Sequence, residues 1–334
     1  MKDVRIRSIL ISYFFFLFIQ LAVAGGTTLA ADARFSSGNS ALAIPFEIED
    51  NLIYLNVSVN NSKPLSFILD TGAYTLVDLS RARELAIDLK LTGKSDGIGD
   101  EQQDVFTGTR KVAFGLPGVT LSDQRLLAVT LEKVEECVNL FVVDATGRDI
   151  SGSSPSIART RKVDGILGKE FFSNFVVEID YAARVLNVYE PRSYKYSGRG
   201  EKLPLEIEPQ HIFVSGQISG EGQPPIHGRF MVDTGSSMVA TLTKRFTDDH
   251  KLLPPRDQLS TLPVCGLAGM MTTKSLVGNV GALQLGTLKF ITPVVEFRQA
   301  GDYDFDGYIG GALLRRHKVI FDYSRGVMIL EPVS

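Results

Sequence analysis

The amino-acid sequence predicts a mainly β (all-β) protein that folds as two similar lobes. An apolar run ending in Asp-Thr-Gly occurs twice: residues 67–72 read Phe-Ile-Leu-Asp-Thr-Gly, and residues 230–235 read Phe-Met-Val-Asp-Thr-Gly. Apolar residues alternate with polar ones at 53–59, 176–188 and 319–330, a pattern typical of β-strands. Helical patterns are few and short, so strands are expected to build most of the core.

The repeat begins well before the motif. Residues 44–49 (Ile-Pro-Phe-Glu-Ile-Glu) match residues 203–208 (Leu-Pro-Leu-Glu-Ile-Glu), and the apolar pair 53–54 matches 212–213 at the same spacing. The second copy then holds four extra residues, which fall in the Gly/Pro-rich stretch 219–225. A hairpin turn is expected there, where an insertion has a small effect on stability.

The repeat also continues after the motif. Residues 79–81 (Leu-Ser-Arg) match residues 242–244 (Leu-Thr-Lys), so Ser80 and Thr243 are predicted to cap short helices. In the first copy this helix is predicted over 81–89.

A third block closes each copy. Residues 164–181 begin with Asp-Gly-Ile-Leu-Gly and end with Asp-Tyr, and residues 306–323 begin with Asp-Gly-Tyr-Ile-Gly and end the same way. Short helical turns are predicted after Gly168 and Gly310. The chain therefore contains two copies of one fold.

The length of 334 residues agrees with two domains. The first lobe is predicted at 41–192 and the second at 203–334, with residues 25–40 as a loose polar leader to the mature chain. The stretch 192–202 between the lobes is polar and contains glycine, as expected of a linker.

The N-terminus has the pattern of a secretory signal peptide. Basic residues in the first seven positions precede the apolar run 9–24, which ends in Ala-Val-Ala. Cleavage is predicted after Ala24, with a second possible site after Ala30. A retained membrane anchor is the alternative, but the run is shorter than the roughly 20 residues a span needs. The mature protein is therefore expected to be exported, periplasmic or secreted, without a stable membrane anchor.

Charge and residue usage exclude several classes of function. Residues 1–24 carry three of the 35 basic and one of the 38 acidic residues, so the remainder has a net charge of −5. No basic stripe for nucleic acid is present. The four histidines show no zinc-ligand spacing, so neither a metal nor another cofactor is expected.

Each copy contains one cysteine, Cys137 or Cys265. An oxidising, exported location permits a disulfide between them, whereas the sequence does not show how far apart they lie. Two buried free thiols is the interpretation that we favour from the sequence, and neither interpretation makes them catalytic.

The two motifs have the chemistry of a paired acid. Pairing the lobes would bring Asp70 and Asp233 together, each beside a glycine that lets the chain turn sharply and lets a substrate approach. Two carboxylates about 3 Å apart share one proton over a wide pH range. The ionised member then acts as general base on a water molecule, while the protonated member polarises a peptide carbonyl and later helps to protonate the leaving amine.

This doubled motif, with a hydrophobic-hydrophobic-Gly block closing each copy, resembles the pepsin-like and retropepsin-like aspartic proteases over residues 44–334. The resemblance implies two acid-protease-like β-barrel lobes related by a pseudo-two-fold axis, with the active site in the cleft between them. It also implies that each lobe supplies one catalytic aspartate, Asp70 and Asp233. Blocks 166–168 and 308–310 would pack against the two motif loops.

The resemblance implies roles for the residues that follow each aspartate. Thr71 and Thr234 would hydrogen-bond across the lobe interface and hold both loops, and Gly72 and Gly235 would offer backbone carbonyls to the substrate. The chain departs from the pepsins because it has no tryptophan and no tyrosine between positions 74 and 181. These gaps favour the retropepsin-like branch, fused here into one chain.

The segments that cover the cleft are less clear from the sequence. The first-lobe flap is expected within 95–110, where Gly97-Ile98-Gly99 is read as a turn. A second flap is expected within the Gly/Thr/Met-rich stretch 266–278.

One asymmetry follows the motifs. The next residue is Ala73 in the first copy and Ser236 in the second, and a serine hydroxyl there can hydrogen-bond the neighbouring carboxylate. Asp233 is therefore expected to ionise more readily, with Asp70 more often holding the shared proton. The single hydroxyl is also expected to allow activity at weaker acidity than a pair with two.

The function predicted from the sequence is an aspartic endopeptidase that acts on peptide or protein substrates and works as a monomer. The alternative is a catalytically inactive peptide-binding protein on the same fold. A plain structural reading, in which Asp and Gly merely form strand-end turns, is disfavoured because the repeat is long and matched.

Overall fold

The computed structural model describes residues 33–138, 161–301 and 303–333, together with the backbone of 12–14 and 17–19. The cleavage sites predicted after Ala24 and Ala30 lie outside the described residues. Within the part of the chain that is described, no helix is both long enough and apolar enough to cross a membrane.

Strands dominate the structure, and the helices are between four and seven residues long. The first half contains β1 (Ser12–Phe14), β2 (Leu17–Ile19), β3 (Ala33–Phe35), β4 (Ser40–Glu49), β5 (Leu52–Val59), β6 (Leu65–Leu69), β7 (Leu76–Asp78), α1 (Leu79–Glu84), β8 (Leu89–Gly97), β9 (Gln103–Gly108), β10 (Val112–Leu116), β11 (Val119–Gln124), β12 (Leu127–Val129), α2 (Glu132–Val138), β13 (Gly165–Leu167), α3 (Lys169–Asn174), β14 (Val176–Asp180) and β15 (Val185–Tyr189).

The second half contains β16 (Glu201–Ile207), β17 (Ile212–Ser219), β18 (Ile226–Asp233), β19 (Ala240–Leu242), α4 (Lys244–His250), a 3₁₀ turn (Arg256–Gln258), β20 (Ser260–Leu262), β21 (Val264–Gly266), β22 (Gly269–Met270), β23 (Ser275–Asn279), β24 (Ala282–Leu285), β25 (Leu288–Ile291), β26 (Val294–Phe297), β27 (Gly307–Gly310), α5 (Gly311–Leu314), β28 (His317–Asp322), a second 3₁₀ turn (Tyr323–Arg325) and β29 (Val327–Pro332). The prediction of a mainly β fold is confirmed. Below, the first lobe means the described part of 41–192 and the second lobe the described part of 203–334.

Strand pairing repeats between the two halves. Strand β13 runs parallel to β6 and antiparallel to β7, and β12 runs parallel to β7. In the second half, β27 runs parallel to β18 and antiparallel to β19, and β26 runs parallel to β19. Each Asp-Thr-Gly motif therefore follows or ends a strand that a parallel neighbour supports.

The motif strands are apolar over the three residues before each aspartate, because both faces are buried there. In β6, Phe67 and Leu69 pack into the main hydrophobic core, whereas Ile68 points the other way into a second cluster. In β18, Phe230 and Val232 face the main core and Met231 faces a third cluster. Since side chains alternate along a strand, Ile68 and Met231 share a face with the aspartates two residues later.

A six-stranded sheet joins the halves, with the order β16-β29-β28-β14-β15-β4. Each half contributes three strands, and the central pair β14 and β28 is antiparallel, with Glu178 opposite Ile320. Backbone hydrogen bonds thus connect the two lobes on this sheet.

The short helix after each motif is capped, but the cap in the first copy differs from the expectation. Asp78 rather than Ser80 caps α1, because its carboxylate accepts hydrogen bonds from backbone N–H groups of the first turn. Thr243 caps α4 as predicted. The helix predicted over 81–89 therefore begins and ends earlier, at Leu79–Glu84.

The expectation of two free thiols is wrong. Cys137 on α2 and Cys265 on β21 form a disulfide, with their Cα atoms 5.9 Å apart. Both cysteines are buried in the cluster that also contains Leu267. The bond links the two lobes across 128 residues of sequence, a proximity that local patterns do not encode.

Candidate active site

The two motif aspartates are buried at the ends of their strands. Asp70 is 0% exposed and Asp233 is 1% exposed. The backbone N–H of Gly72 donates to Asp70 Oδ1 at 2.7 Å, and that of Gly235 donates to Asp233 Oδ1 at 2.8 Å. Each carboxylate is thus oriented by its own loop.

The two loops lie against each other. A Cβ atom placed on Gly235 would lie 2.3 Å from Asp70 Oδ2 and 2.7 Å from Asp70 Oδ1. Only glycine lets the second loop come this close to the first carboxylate. Folding therefore brings together two acids that are 163 residues apart in the sequence.

Hydroxyl groups of the motif threonines cross-link the loops. Thr71 Oγ1 donates to the carbonyl of Val232 at 2.7 Å and accepts from the N–H of Thr234 at 3.0 Å. Thr234 Oγ1 donates to the carbonyl of Leu69 at 2.9 Å and accepts from the N–H of Thr71 at 3.0 Å. Four reciprocal hydrogen bonds thus join the two loops that carry the aspartates.

Burial favours the protonated form of both aspartates. It raises the pKa of Asp70 from 3.8 to about 7, against the opposing hydrogen bond from Gly72. It also raises the pKa of Asp233, and the neighbouring charge of Asp70 raises it further. The two groups titrate as one pair, which retains a shared proton near neutral pH.

The role expected of Ser236 is corrected. Its Oγ is buried and has no hydrogen-bond partner among the described residues, so it does not donate to Asp233. The hydroxyl points toward the third block of the repeat, where a Cβ on Gly310 would lie 2.8 Å from it. The predicted asymmetry between the two acids therefore lacks its hydrogen bond. The pKa directions also oppose it, because the charge of Asp70 and the hydrogen bond with Asp70 raise the pKa of Asp233, whereas the same hydrogen bond lowers that of Asp70.

Two hairpin loops meet across the lobe boundary. The tip of the β8–β9 hairpin contacts the segment 264–272 of the second lobe, and we call this contact the clasp. The carbonyl of Ile98 accepts from the N–H of Ala268 at 2.9 Å, and Gln103 Nε2 donates to the carbonyl of Leu267 at 2.6 Å. Both predicted flap ranges contribute to the clasp, although the first hairpin begins earlier than predicted, at Leu89.

Gly97-Ile98-Gly99, read from the sequence as a plain turn, forms the centre of the clasp. Ile98 is 5% exposed and packs with second-lobe side chains, namely Phe213, Met231, Val264, Phe305 and Tyr308. Gly99 has a φ of +137°, and a Cβ there would lie 2.1 Å from the carbonyl carbon of Ala268. The first-lobe tip therefore covers the second-lobe side of the site.

Two amide side chains that the sequence analysis missed connect the lobes elsewhere. Asn51, in the turn between β4 and β5, donates from Nδ2 to the carbonyl of Ser237 at 2.8 Å and accepts from Arg315 Nη1 at 2.7 Å. Gln210 in the matching turn of the second copy hydrogen-bonds Tyr74. The signal was present in the repeat, because these amides occupy equivalent positions just after the matched Glu-Ile-Glu segments.

Comparison with known proteins does not show the family of this chain. The sequence matches no protein-family model and no curated protein sequence. Among solved structures it is similar to basic 7S globulin from soybean, of the pepsin-like fold, with a TM-score of 0.45 and 10% sequence identity. That similarity covers 89% of this chain and 95% of the globulin chain.

Proposed function

We propose that this protein is an aspartic endopeptidase that hydrolyses peptide bonds with water activated between Asp70 and Asp233. The observation that carries the proposal is the paired site itself: two buried carboxylates on matching loops, in contact through Gly235 and cross-linked by Thr71 and Thr234. Strand-end turns alone have no need of buried acids with raised pKa values.

The raised pKa values support a division of labour within the pair. With one proton shared, the ionised oxygen accepts a proton from water as the water attacks the peptide carbonyl. The protonated carboxyl donates a hydrogen bond to that carbonyl oxygen, and a proton is then passed to the leaving amine. Gly72 and Gly235 are proposed to offer their carbonyls to the peptide backbone.

The arrangement supports action as a monomer, because one chain supplies both acids. A substrate reaches them when the clasp opens, since the first-lobe tip covers the second-lobe side of the site. Opening separates two loops and leaves the buried threonine cross-links in place.

The test is cleavage of a mixed library of unfolded peptides from pH 3 to 8 by the mature protein. We expect turnover that extends to neutral pH, because the pair still holds its shared proton there. Asp70→Asn and Asp233→Asn are each expected to abolish it, by at least about a thousandfold. Asp249→Asn, which changes an exposed aspartate of α4, is the matched control and is expected to cleave like the parent.

Other outcomes discriminate between the candidates. Peptide binding by the folded parent without turnover at any pH would favour the alternative, a peptide-binding protein on the same fold. Turnover that survives both substitutions would place the chemistry at another site and would overturn the proposal.

We also propose that the chain is exported and that its signal peptide, residues 1–24, is removed. The cross-lobe disulfide supports this location, because such bonds persist in oxidising compartments. N-terminal sequencing of the mature protein after expression in a bacterium tests it. A mature chain that retains residues 1–24 would contradict the proposal.

A further inference from the structure

A buried ion pair lies on the cleft-facing side of the second lobe and has no role in the mechanism above. Glu296 is 0% exposed and Arg298 is 1% exposed, and Arg298 Nε lies 3.2 Å from Glu296 Oε1. Glu296 Oε2 also accepts a hydrogen bond from Thr241 Oγ1 at 2.9 Å. Three polar side chains thus form one connected, buried group at β19 and β26.

The equivalent positions of the first lobe are apolar. Ala128 is paired with Val77 in the first lobe, as Phe297 is paired with Leu242 in the second. Ala128 on β12 therefore corresponds to Phe297 on β26. One residue before and one residue after this position, Leu127 corresponds to Glu296 and Val129 to Arg298. Leu127 and Val129 are both buried in the hydrophobic cluster that contains Ile68, on the cleft-facing side of β6.

The first lobe therefore shows that the fold does not need this ion pair. Removing two charges from water carries a penalty that their mutual attraction often fails to offset, so apolar residues at such positions are neutral or stabilising. The first copy has those apolar residues and the second copy does not. A difference between two copies of one fold, at a position facing the cleft, points to recognition rather than to folding.

The guanidinium contacts the clasp segment of the second lobe. Arg298 Nη1 is 3.4 Å from Met271 Sδ, a weak hydrogen-bond acceptor in the clasp segment 264–272. The strand pairing places this group near the motif strand: Thr241 is paired with both Glu296 and Tyr308, and Tyr308 is paired with Met231, two residues before Asp233. Met271 has a flexible side chain, so a substrate group that displaces its thioether would reach the guanidinium while the segment itself stays in place.

We propose that Arg298, held by Glu296, selects an acidic side chain of the peptide on the second-lobe side of the scissile bond. In the first lobe, the apolar residues Leu127 and Val129 would instead favour an apolar side chain. At Arg298 Nη1, a carboxylate oxygen would take the place of the Met271 thioether and would form a much stronger, charge-assisted hydrogen bond. The two halves of the cleft then differ in specificity. This inference rests on the proposed function, because it names the substrate class of the same site.

The experiment measures binding and cleavage separately. Peptides that carry Glu or Gln at each position around the cleaved bond are titrated against the inactive Asp70→Asn variant, and the same peptides are tested for turnover by the parent. At one position we expect Glu to bind about tenfold or more tightly than Gln. A Glu/Gln ratio within about twofold at every position would overturn the inference.

The decisive variant gives the second lobe the residues of the first: Glu296→Leu with Arg298→Val. It is expected to fold and to bind Glu and Gln peptides equally, with a somewhat lower melting temperature because the buried Thr241 hydroxyl loses its acceptor. Lys244→Met, which removes an exposed ion pair with Asp248 in the same lobe, is the control and should keep the preference. If the double variant still prefers Glu over Gln peptides, another group recognises the carboxylate, and the inference is overturned.

The two proposals fail in different ways. A parent that binds Glu peptides preferentially but cleaves none contradicts the peptidase and leaves Arg298 as a recognition residue. A parent that cleaves peptides without regard to charge supports the peptidase and removes this role from Arg298. Should the double variant fail to fold, the Glu/Gln comparison on the Asp70→Asn protein still decides the question.

Discussion

The shared proton of Asp70 and Asp233 governs how the site responds to pH. Burial raises the pKa of Asp70 from 3.8 to about 7, so the folded protein holds a proton that the unfolded chain releases. The stability that this group contributes is fully present below pH 3.8 and is lost as the pH rises toward 7. The site is thus maintained at the expense of stability at neutral pH.

Asp70→Asn is expected to raise stability at pH 8 and to leave it nearly unchanged at pH 3. A shift from 3.8 to about 7 corresponds to about 4 kcal/mol, and the neutral amide does not lose this contribution. Urea unfolding of parent and variant at both pH values measures the difference. The exposed Asp249→Asn serves as the control, and an equal effect of Asp70→Asn at both pH values would contradict the prediction.

Thr71→Val is expected to destabilise the protein by about 2–4 kcal/mol and to reduce turnover. Valine has the same shape, but it leaves the buried carbonyl of Val232 and the N–H of Thr234 without their partner. Thr71→Ser retains the hydroxyl and is expected to keep most of the stability. Equal losses in the two variants would show that the methyl group, rather than the cross-link, matters.

At the scale of secondary-structure elements, the repeat preserves the role of a helix cap while changing its residue. Asp78 caps α1 where Thr243 caps α4. Asp78 also contacts a distant segment, because its Oδ2 accepts from the N–H of Leu131 at 2.9 Å. That bond connects α1 to the chain just after β12.

Asp78→Ala is therefore expected to cost about 2–3 kcal/mol, more than the roughly 1 kcal/mol of an ordinary cap. Ser80→Ala, at the position that the sequence suggested as the cap, is expected to cost less than about 0.5 kcal/mol. Thermal unfolding of both variants at neutral pH ranks them. The reverse order would restore Ser80 as the cap.

At the scale of the whole molecule, two kinds of cross-lobe contact differ in permanence. The six-stranded sheet and the threonine cross-links are buried and continuous with the core. The clasp rests on a few hydrogen bonds, the buried Ile98 and the neighbouring Cys137–Cys265 disulfide. The disulfide anchors the second-lobe side of the clasp, so opening is expected to move the first-lobe hairpin away from a fixed partner.

Removing the disulfide by Cys137→Ala with Cys265→Ala is expected to lower stability by about 2–5 kcal/mol. We also expect faster hydrogen exchange at the Ala268 amide, which donates to Ile98 across the clasp. Reductant should act on the parent in the same direction and have no effect on the double variant, since the sequence contains only these two cysteines. Unchanged exchange at Ala268 would mean that the clasp does not depend on the disulfide.

The doubled motif was enough to predict the mainly β fold class and to single out both aspartates. Strand periodicity and turn residues act over a few neighbours, and each local pattern occurs twice, so the repeat itself indicates how the halves correspond. The threonine cross-links were expected from the family resemblance. Local rules failed even within one element, as at Asp78, where two residues of the chain compete for the same capping role.

The remaining features depend on contacts between residues far apart in the chain. The disulfide, the clasp and the hydrogen bond from the Asn51 side chain to Ser237 each join segments separated by more than a hundred residues. Whether Ser236 reaches a carboxylate depends on a rotation about one side-chain bond within a packed loop. Burial of Glu296 and Arg298 likewise follows from packing, because residue identity alone predicts that such charges lie at the surface. The sequence determines which chemical groups are present. The fold determines what surrounds each group, and those surroundings set its protonation state and its hydrogen-bond partners.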